Sequence, residues 1–150
     1  MDELDKRIIR HLQVDNRIPV NDLAEKVGCS RTVCWRRIKA LEETGVIRGN
    51  VALLNREIVG SPVTVFVNVK TASHEPDWLE SFARAVETFP EITEFYRMSG
   101  DVDYLLKVVV PDIASYDEFY RRLITAIPLS DVSSNFAMEE IKFTTAIPVR

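Results

Sequence analysis

The chain has 150 residues, which is enough for one or two domains that each bury a hydrophobic core. Apolar residues make up 46% of the sequence, and no apolar run approaches the roughly 20 residues of a membrane-spanning helix. The first residues, Met1 to Lys6, lack the basic and apolar regions of a secretory signal. We therefore expect a cytoplasmic protein that has no membrane partner.

The net charge of −4 hides a difference between the two parts of the chain. Residues 1–50 contain ten Lys or Arg and eight Asp or Glu, whereas residues 51–150 contain nine and fifteen. Contact with phosphate depends on local basic patches and not on the total charge. The composition is therefore compatible with DNA binding by residues 1–50, while the acidic residues 51–150 are expected to avoid DNA.

The two cysteines, Cys29 and Cys34, favour a reducing compartment, because a disulfide would need an oxidising one. We expect buried free thiols at both positions. A metal site could recruit His11, but His74 lies in another segment and the sequence has no paired-ligand motif. We therefore expect neither a metal nor another cofactor.

Helical spacing of apolar residues predicts a first helix over about residues 2–14. Pro19 can open a second helix that continues to Val27, because its fixed φ suits the first helical position. A glycine follows at position 28, and a third helix begins two residues later. Helix, tight turn and helix, with a glycine in the turn, is the pattern of a helix-turn-helix.

The third helix is predicted from Ser30, which can cap its first turn, to Thr44, with Gly45 as its stop. Cys34, Ile38 and Leu41 form one apolar stripe along it. The candidate DNA-binding residues on its other faces are Arg31, Thr32, Trp35, Arg36, Arg37 and Lys39. No acidic residue occurs between positions 30 and 41, so this basic helix suits the major groove of DNA. A surface helix with a solvated basic face is the alternative.

Residues 46–54 suggest two short strands about Gly49-Asn50, a plausible wing that would complete a winged helix-turn-helix. Residues 55–62 are polar and turn-like. We therefore divide the chain into a DNA-binding domain over residues 1–50, a linker strand and hinge over 51–62, and a second domain over 63–150.

The second domain alternates strand and helix patterns. The predicted elements are a strand from Val63 to Val69, a helix between Pro76 and Pro90, strands Ile92–Met98 and Tyr104–Val110, a helix capped by Asp112, and a long last strand, Val132–Phe143. The order βαββαβ predicts a ferredoxin-like arrangement, with two helices on one face of an antiparallel sheet. The fold class is therefore α+β.

The turn from Ser99 to Asp103, between the second and third strands, is a candidate ligand site. Gly100 would let backbone amides approach a carboxylate closely, and Asp101 and Asp103 offer acceptors for an ammonium group. Together they suit the zwitterionic end of an amino acid, with Asp103 as the first choice for the ammonium. An ordinary polar hairpin turn is the alternative.

Residues near this turn complete the candidate ligand set. Arg97, on the strand before the turn, would pair with a carboxylate of a ligand or a neighbour, and a surface salt bridge is the alternative. The polar residues Ser134 and Asn135 of the last strand would reach a ligand from a neighbouring subunit, or satisfy an exposed strand face. The full set of candidate effector-binding residues is Arg97, Met98, Ser99, Gly100, Asp101, Asp103, Ser134 and Asn135.

Nearly the whole chain resembles the Lrp/AsnC family of bacterial and archaeal transcription regulators. The matching residues are Leu4-Asp5, Asp22-Leu23-Ala24, Val27 to Ser30, Cys34 with Arg37, Leu41-Glu42 through Gly45-Val46-Ile47, Ala52 to Asn55, and above all Ser99 to Leu106 with Val110-Pro111-Asp112. The resemblance implies an N-terminal DNA-binding domain and a C-terminal domain that senses ligand and assembles. It also implies dimers on pseudo-palindromic operators, rings that are often octamers, and amino-acid effectors bound between dimers near the Ser99–Asp103 turn.

A narrower resemblance to regulators tied to cysteine metabolism rests on four stretches of the second domain. They are Phe95 to Met98, Tyr116 to Tyr120, Ser130 to Val132, and Asn135 to Lys142. It implies a small amino acid as effector, with cysteine first and leucine or other apolar amino acids next. The turn before the last strand departs from the family, since Pro128-Leu129 stands where Pro-Gly is usual.

The sequence gives little support for an enzymatic function. The carboxylate pairs Asp101/Asp103 and Glu139/Glu140 would allow acid–base work, but the sequence has no partnered nucleophile and no phosphate-binding glycine loop. We expect a regulator rather than an enzyme, with a ferredoxin-like enzyme or a ligand-binding assembly module without DNA function as the alternatives.

Phe66 and Phe136 are expected on the sheet face opposite the helices, where association with a second copy would bury them.

Overall fold

The computed structural model describes residues 1–71 and 76–150, so His74 lies outside the described residues. The chain forms two compact units, Met1–Leu53 together with Ile141–Arg150, and Leu54–Glu140. The sequence-based division assigned the last ten residues to the second domain, whereas they pack with the first. Within the described residues, no helix is long and apolar enough to cross a membrane.

The helices of the first unit are α1, Glu3–Leu12, α2, Val20–Val27, and α3, Arg31–Glu43. All three lie where the apolar spacing predicts them. Each predicted start residue, Asp2, Pro19 or Ser30, is the N-cap and not the first helical residue. The buried core that joins the helices consists of Ile8, Leu23, Ala24, Val27, Cys34 and Leu41.

The predicted wing does not form strands, because residues 46–54 contain no strand in this chain. A two-residue hairpin about Gly49-Asn50 would need a positive φ angle at Gly49, or at both residues, depending on the turn type. Neither residue has one, and the Asn50 Oδ1 instead accepts from Asn16 Nδ2 at 3.3 Å. The wing prediction is therefore wrong for the isolated chain.

The C-terminal segment, Ile141–Arg150, packs on the first unit through α1 and the turn that follows it. The side-chain amide of Gln13 donates to the Ile147 carbonyl and accepts from the Ile147 amide, both at 3.0 Å. Arg10 Nη2 donates to the Val149 carbonyl at 3.3 Å. These contacts follow no local sequence pattern, because Gln13 and Ile147 are far apart along the chain.

The elements of the second unit are β1, Val63–Lys70, α4, Pro76–Glu87, β2, Ile92–Arg97, β3, Tyr104–Val110, α5, Ile113–Ala126, and β4, Asp131–Phe136. The strands pair antiparallel in the order β2-β3-β1-β4. This order is the ferredoxin-like one, and the α+β class is confirmed. Asp112 caps α5 as predicted, accepting from the Ser115 amide at 2.7 Å.

Alternation along the central strands separates a helix-covered face from an open face. Val65, Val67 and Val69 of β1 are fully buried, and so are Leu106 and Val108 of β3. The aromatic residues that pack on this face include Phe82 of α4, Phe89 just after α4, and Tyr116 and Phe119 of α5. The open face carries the alternate residues of the same strands.

The last strand is shorter than predicted, because it ends at Phe136 and not at Phe143. The Ala137 amide still donates to the Thr64 carbonyl at 2.9 Å. Two residues further along this register, the next position to donate a hydrogen bond from the neighbouring chain would be Pro62. Proline has no amide hydrogen to donate. Pairing with β1 therefore stops near the start of β1.

Phe136 lies on the helix-covered face, so its prediction for the open face is wrong. It pairs with Val65 of that face, and its ring lies 5.1 Å from the Tyr116 ring of α5, centroid to centroid. Phe66 lies on the open face as predicted, with 37% of its surface exposed. A one-residue change in register reverses the face of every side chain, which is why one of the two predictions is wrong.

Candidate DNA-binding helix and ligand turn

The turn between α2 and α3 is built by two local devices. Gly28 ends α2 in the left-handed conformation, with φ of 71°, which glycine adopts without a steric penalty. The amide of the next residue, Cys29, donates to the Ala24 carbonyl at 2.9 Å. The Ser30 hydroxyl then caps α3 by accepting from the Val33 amide at 3.3 Å. Sequence and structure agree on a helix-turn-helix here.

The exposed face of α3 carries five of the six predicted DNA-binding residues. They are Arg31, Thr32, Trp35, Arg36 and Lys39. Arg31 and Arg36 have no ion-pair partner in the part of the chain that the structure describes. Trp35 is 54% exposed, which is unusual for so large an apolar side chain.

Lys39 is exposed but pairs with Glu42 one turn later, Nζ to Oε2 at 2.7 Å. An exposed pair of this kind contributes only about 0.2–1 kcal/mol, so a phosphate can displace Glu42 at little cost. Lys39 therefore remains available for contact with a nucleic-acid backbone.

Arg37 is the exception among the six, because its charge is used inside the first unit. Its Nη1 lies 2.8 Å from Asp2 Oδ2 and 3.3 Å from Asp5 Oδ1, and both carboxylates belong to the start of α1. The Asp5 amide hydrogen bond, followed by Arg37, lowers the pKa of the Asp2 carboxyl. The guanidinium of Arg37 thus ties α3 to α1, and its contact with DNA stays a prediction.

The ligand turn, Ser99 to Asp103, is closed by backbone hydrogen bonds. The Met98 amide donates to the Asp103 carbonyl at 2.8 Å, and the Asp103 amide donates to the Val69 carbonyl at 3.1 Å. Gly100 has φ of 127°, a backbone conformation that side chains rarely permit, and no atom lies near its missing Cβ. The space beside Gly100 is therefore open, and the approach of a ligand to its backbone stays a prediction.

The two aspartates of the turn have different environments. Asp103 is half-buried, and its Oδ2 accepts from the Thr71 amide at 2.9 Å. Asp101 is exposed and has no hydrogen-bond or ion-pair partner among the described residues. One Asp103 oxygen thus holds the turn against the end of β1, whereas both Asp101 oxygens are free for a ligand.

The residues on the N-terminal side of the turn are accessible. Arg97, Met98 and Ser99 are exposed, and Arg97 has no carboxylate partner in the described ranges 1–71 and 76–150. Met98 is the first residue after β2, which ends at Arg97, so both residues lie where β2 enters the turn. The structure therefore brings Arg97, Gly100 and Asp101 to one end of the sheet.

Ser134 and Asn135 do not join this cluster within one chain. Both belong to β4, which is separated from β3 by β1. Ser134 is hydrogen-bonded to the Tyr116 hydroxyl on the helix-covered face, whereas Asn135 is exposed on the open face opposite Phe66. Any contribution of these residues to a ligand at the turn would have to come from another subunit.

Thr71, which follows β1, is the residue beside the ligand turn that sequence reasoning missed. Its amide fixes Asp103, and the contact depends on β1 ending beside the start of β3. No signal in the sequence reports that register. Among the described residues there is also no group of three or more His, Cys, Asp or Glu side chains that could hold a metal ion.

Two family models match the chain. Residues 1–42 match the AsnC-type helix-turn-helix domain, and residues 64–147 match the Lrp/AsnC ligand binding domain. The first match covers the helices α1 to α3 and the second covers the sheet, α4, α5 and the ligand turn.

Individual relatives agree with these matches. The chain is 45% identical to the DNA-binding transcriptional activator DecR of Escherichia coli (strain K12), over 99% of both proteins. A crystal structure of an AsnC family transcriptional regulator from Agrobacterium tumefaciens is 61% identical, with a TM-score of 0.95 over 99% of this chain and 97% of that one. A transcriptional regulator from Neisseria meningitidis in complex with L-Met is 33% identical, with a TM-score of 0.92 over 99% and 96%.

The matched domains and the relatives lead to one assignment. The relatives over the full chain are transcriptional regulators, so the prediction that this protein is not an enzyme is confirmed. The helix-turn-helix and the ligand-binding sheet lie in the order that the sequence resemblance implies. The chain belongs to the Lrp/AsnC family and is a DNA-binding transcriptional regulator with a ligand-binding domain.

Proposed function

We propose that α3 enters the major groove of a pseudo-palindromic operator and that a small amino acid controls its affinity. The residues assigned to bases or phosphates are Arg31, Thr32, Trp35 and Arg36, with Lys39 on the phosphate backbone. The observation that carries this placement is the free, exposed charge of Arg31 at the capped start of α3 and of Arg36 in its second turn. Such a helix start presents cations and amide donors to phosphate together.

The effector in this proposal binds at the Ser99–Asp103 turn. Open backbone at Gly100 suits the carboxylate of an amino acid, and Arg97 adds a positive charge nearby. The ammonium is assigned to Asp101, whose oxygens are free, while Asp103 positions the turn through the Thr71 amide. This reverses the first choice made from the sequence alone.

Cysteine is the leading candidate for the effector, from the narrower sequence resemblance. The relative from Neisseria meningitidis holds L-Met, another sulfur-containing amino acid, which supports the same chemical class. Methionine therefore comes second, followed by leucine and other apolar amino acids. The site of action is the cytoplasm in this proposal.

Assembly links the effector to DNA. The turn and α3 belong to different units, so a ligand can change DNA affinity only by favouring one arrangement of subunits or units. We assign the ligand to the interface between dimers, where Ser134 and Asn135 of a neighbouring subunit would reach it, in a particle built from dimers up to an octamer. Couplings of this kind are typically about 1–3 kcal/mol, so operator affinity should change roughly 5–150-fold.

The test is titration of the protein's own upstream DNA, with and without each amino acid of a panel. Wild type should bind DNA and respond to cysteine. The Arg31/Arg36 double alanine variant should lose about 1–3 kcal/mol for each base contact, or show a smaller salt dependence if the contacts are to phosphate. Unchanged operator affinity in that variant would remove α3 from the groove.

Two aspartate variants test the effector site in the same titration. Asp101→Ala should bind DNA normally, keep its thermal stability and lose the response to the amino acid. Asp103→Ala should lose the response together with stability, because the Thr71 amide loses its acceptor. An unaltered response in Asp101→Ala would place the ammonium elsewhere. A wild type that binds DNA but no amino acid would leave DNA binding standing and end the effector proposal.

A further inference from the structure

The two cysteines of the chain flank the start of α3. Cys29 immediately precedes the cap residue Ser30, and Cys34 is the fourth residue of the helix. Side chains at these two positions face each other across the first helical turn, in the arrangement known as a hydrophobic staple. Both cysteines belong to the same cluster of packed side chains, and both are free thiols.

The environments of the two thiols differ in a way that orders their reactivity. Cys34 has no exposed surface, whereas Cys29 is only partly buried. Burial, followed by the neighbouring Cys29 thiol, raises the pKa of Cys34 to about 11. Cys34 is therefore protonated and shielded, and an oxidant in solution reaches Cys29 first.

We propose that Cys29 and Cys34 form a redox modification site at which a hydroperoxide converts the two thiols into a disulfide. In the first step the Cys29 sulfur attacks the hydroperoxide oxygen, the O–O bond breaks, and water or an alcohol leaves with the thiol proton. Cys29 is then a sulfenic acid. In the second step the Cys34 sulfur attacks the Cys29 sulfur, the S–O bond breaks, and water leaves with the Cys34 proton. The two thiols lose two electrons, and one hydroperoxide is reduced.

The disulfide would act on the start of α3. A sulfur–sulfur bond of about 2.05 Å is much shorter than the contact between two thiols, so it pulls Cys29 toward the helix. Ser30 follows Cys29 in the chain, and its hydroxyl accepts from the Val33 amide in the first turn of α3. A shift of Cys29 would therefore disturb this cap and the position of Arg31, the first residue of the helix. Oxidation should therefore weaken operator binding, a consequence that rests on the proposed placement of α3 in the major groove.

The first experiment concerns the bond alone. Full-length protein is treated with hydrogen peroxide, and free thiols and intact mass are measured. Wild type should lose both thiols and the mass of two hydrogen atoms, and dithiothreitol should restore them. Cys34→Ala should stop at a sulfenic acid that dimedone traps on Cys29, whereas Cys29→Ser should keep its single thiol. Persistence of both wild-type thiols, or oxidation of Cys29 beyond the sulfenic acid without a bond, would overturn the proposal.

The second experiment measures operator affinity of the same samples. Oxidised wild type should bind the operator at least about fivefold more weakly than reduced wild type does. A roughly fivefold change is the lower end of the effect that one site of a protein typically has on the affinity of another. Cys29→Ser should bind like reduced wild type before and after peroxide. A disulfide that forms without changing operator affinity would overturn the control of DNA binding. If reduced wild type fails to bind DNA at all, the placement of α3 fails, while the thiol and mass measurements still decide the modification site.

Discussion

The guanidinium of Arg37 separates two roles that basic residues of one helix can have. It lies within 3.3 Å of a carboxylate oxygen of Asp2 and of Asp5, and the Asp5 side chain is only 10% exposed. Arg37→Ala would leave Asp5 without its cation, so the free energy of unfolding should fall by about 1–3 kcal/mol, nearer the lower value because Arg37 is partly solvated. Thermal or urea unfolding of the full chain measures this loss.

Arg31→Ala is the matched control for that prediction. Arg31 is exposed and has no ion-pair partner among the described residues, so its removal should leave stability unchanged and weaken operator binding. The salt dependence of operator binding should stay as in wild type for Arg37→Ala, because no phosphate contact is lost. A stable Arg37→Ala variant with reduced salt dependence would restore Arg37 to the DNA interface.

The difference between these two arginines shows what single residues reveal in a sequence. Arg37 sits next to the buried stripe of α3, three residues after Cys34, and that position follows from helical spacing. Its partners, Asp2 and Asp5, lie on another helix, and no spacing within α3 reports them. In the same way, the sequence predicts that Asp103 is a hydrogen-bond acceptor in a turn. The hydrogen bond that it accepts from the Thr71 amide depends on strand register, which the sequence does not show.

At the scale of elements, the C-terminal segment makes the clearest contact that no local pattern predicts. The Gln13 amide forms two hydrogen bonds with the backbone of Ile147, in the manner of a strand neighbour. We expect the Ile147 amide to exchange with solvent slowly in wild type and fast in Gln13→Ala. Hydrogen exchange measured by NMR at that amide tests the prediction directly.

The control for this prediction is Arg10→Ala, which removes only a hydrogen bond to the Val149 carbonyl. That carbonyl is an acceptor, so the Ile147 amide should remain protected. Truncation after residue 140 should destabilise the first unit, because it removes the whole segment that packs with it. Fast exchange at Ile147 in wild type would mean that the segment is not held by α1.

Elements were predicted best where one face is buried by neighbours in the same chain. The helices α1, α2, α3 and α5 and the strands β1 and β3 keep within a residue or two of their predicted bounds, because burial enforces their apolar periodicity. The wing and the end of β4 were predicted from short local stretches of sequence, without a buried face. Gly49 lacks a left-handed φ, and Pro62 lacks a donor, so neither segment forms the expected ladder.

At the scale of the whole molecule, the open face of the sheet decides how the chain associates. Phe66 is 37% exposed and Tyr96 is 49% exposed, and Leu105 is the register partner of Tyr96 on the same face. The polar side chains of this face are partly neutralised, since Lys107 Nζ lies 2.8 Å from Glu94 Oε1. An apolar centre with paired charges beside it suits burial against a second sheet.

We therefore expect wild type to exceed the monomer mass of 17.1 kDa in solution at micromolar concentration. Phe66→Asp places a carboxylate on the open face opposite Lys107, whose ammonium group already pairs with Glu94. Two carboxylates would then share one cation in a buried interface, which is costly, so the variant should shift toward the monomer. Ile113→Asp is the matched control, because Ile113 is 69% exposed at the start of α5, away from the open face. Light scattering on the three proteins measures the masses. A wild type of monomer mass would end the prediction, and dissociation of Ile113→Asp alone would move the interface to the helices.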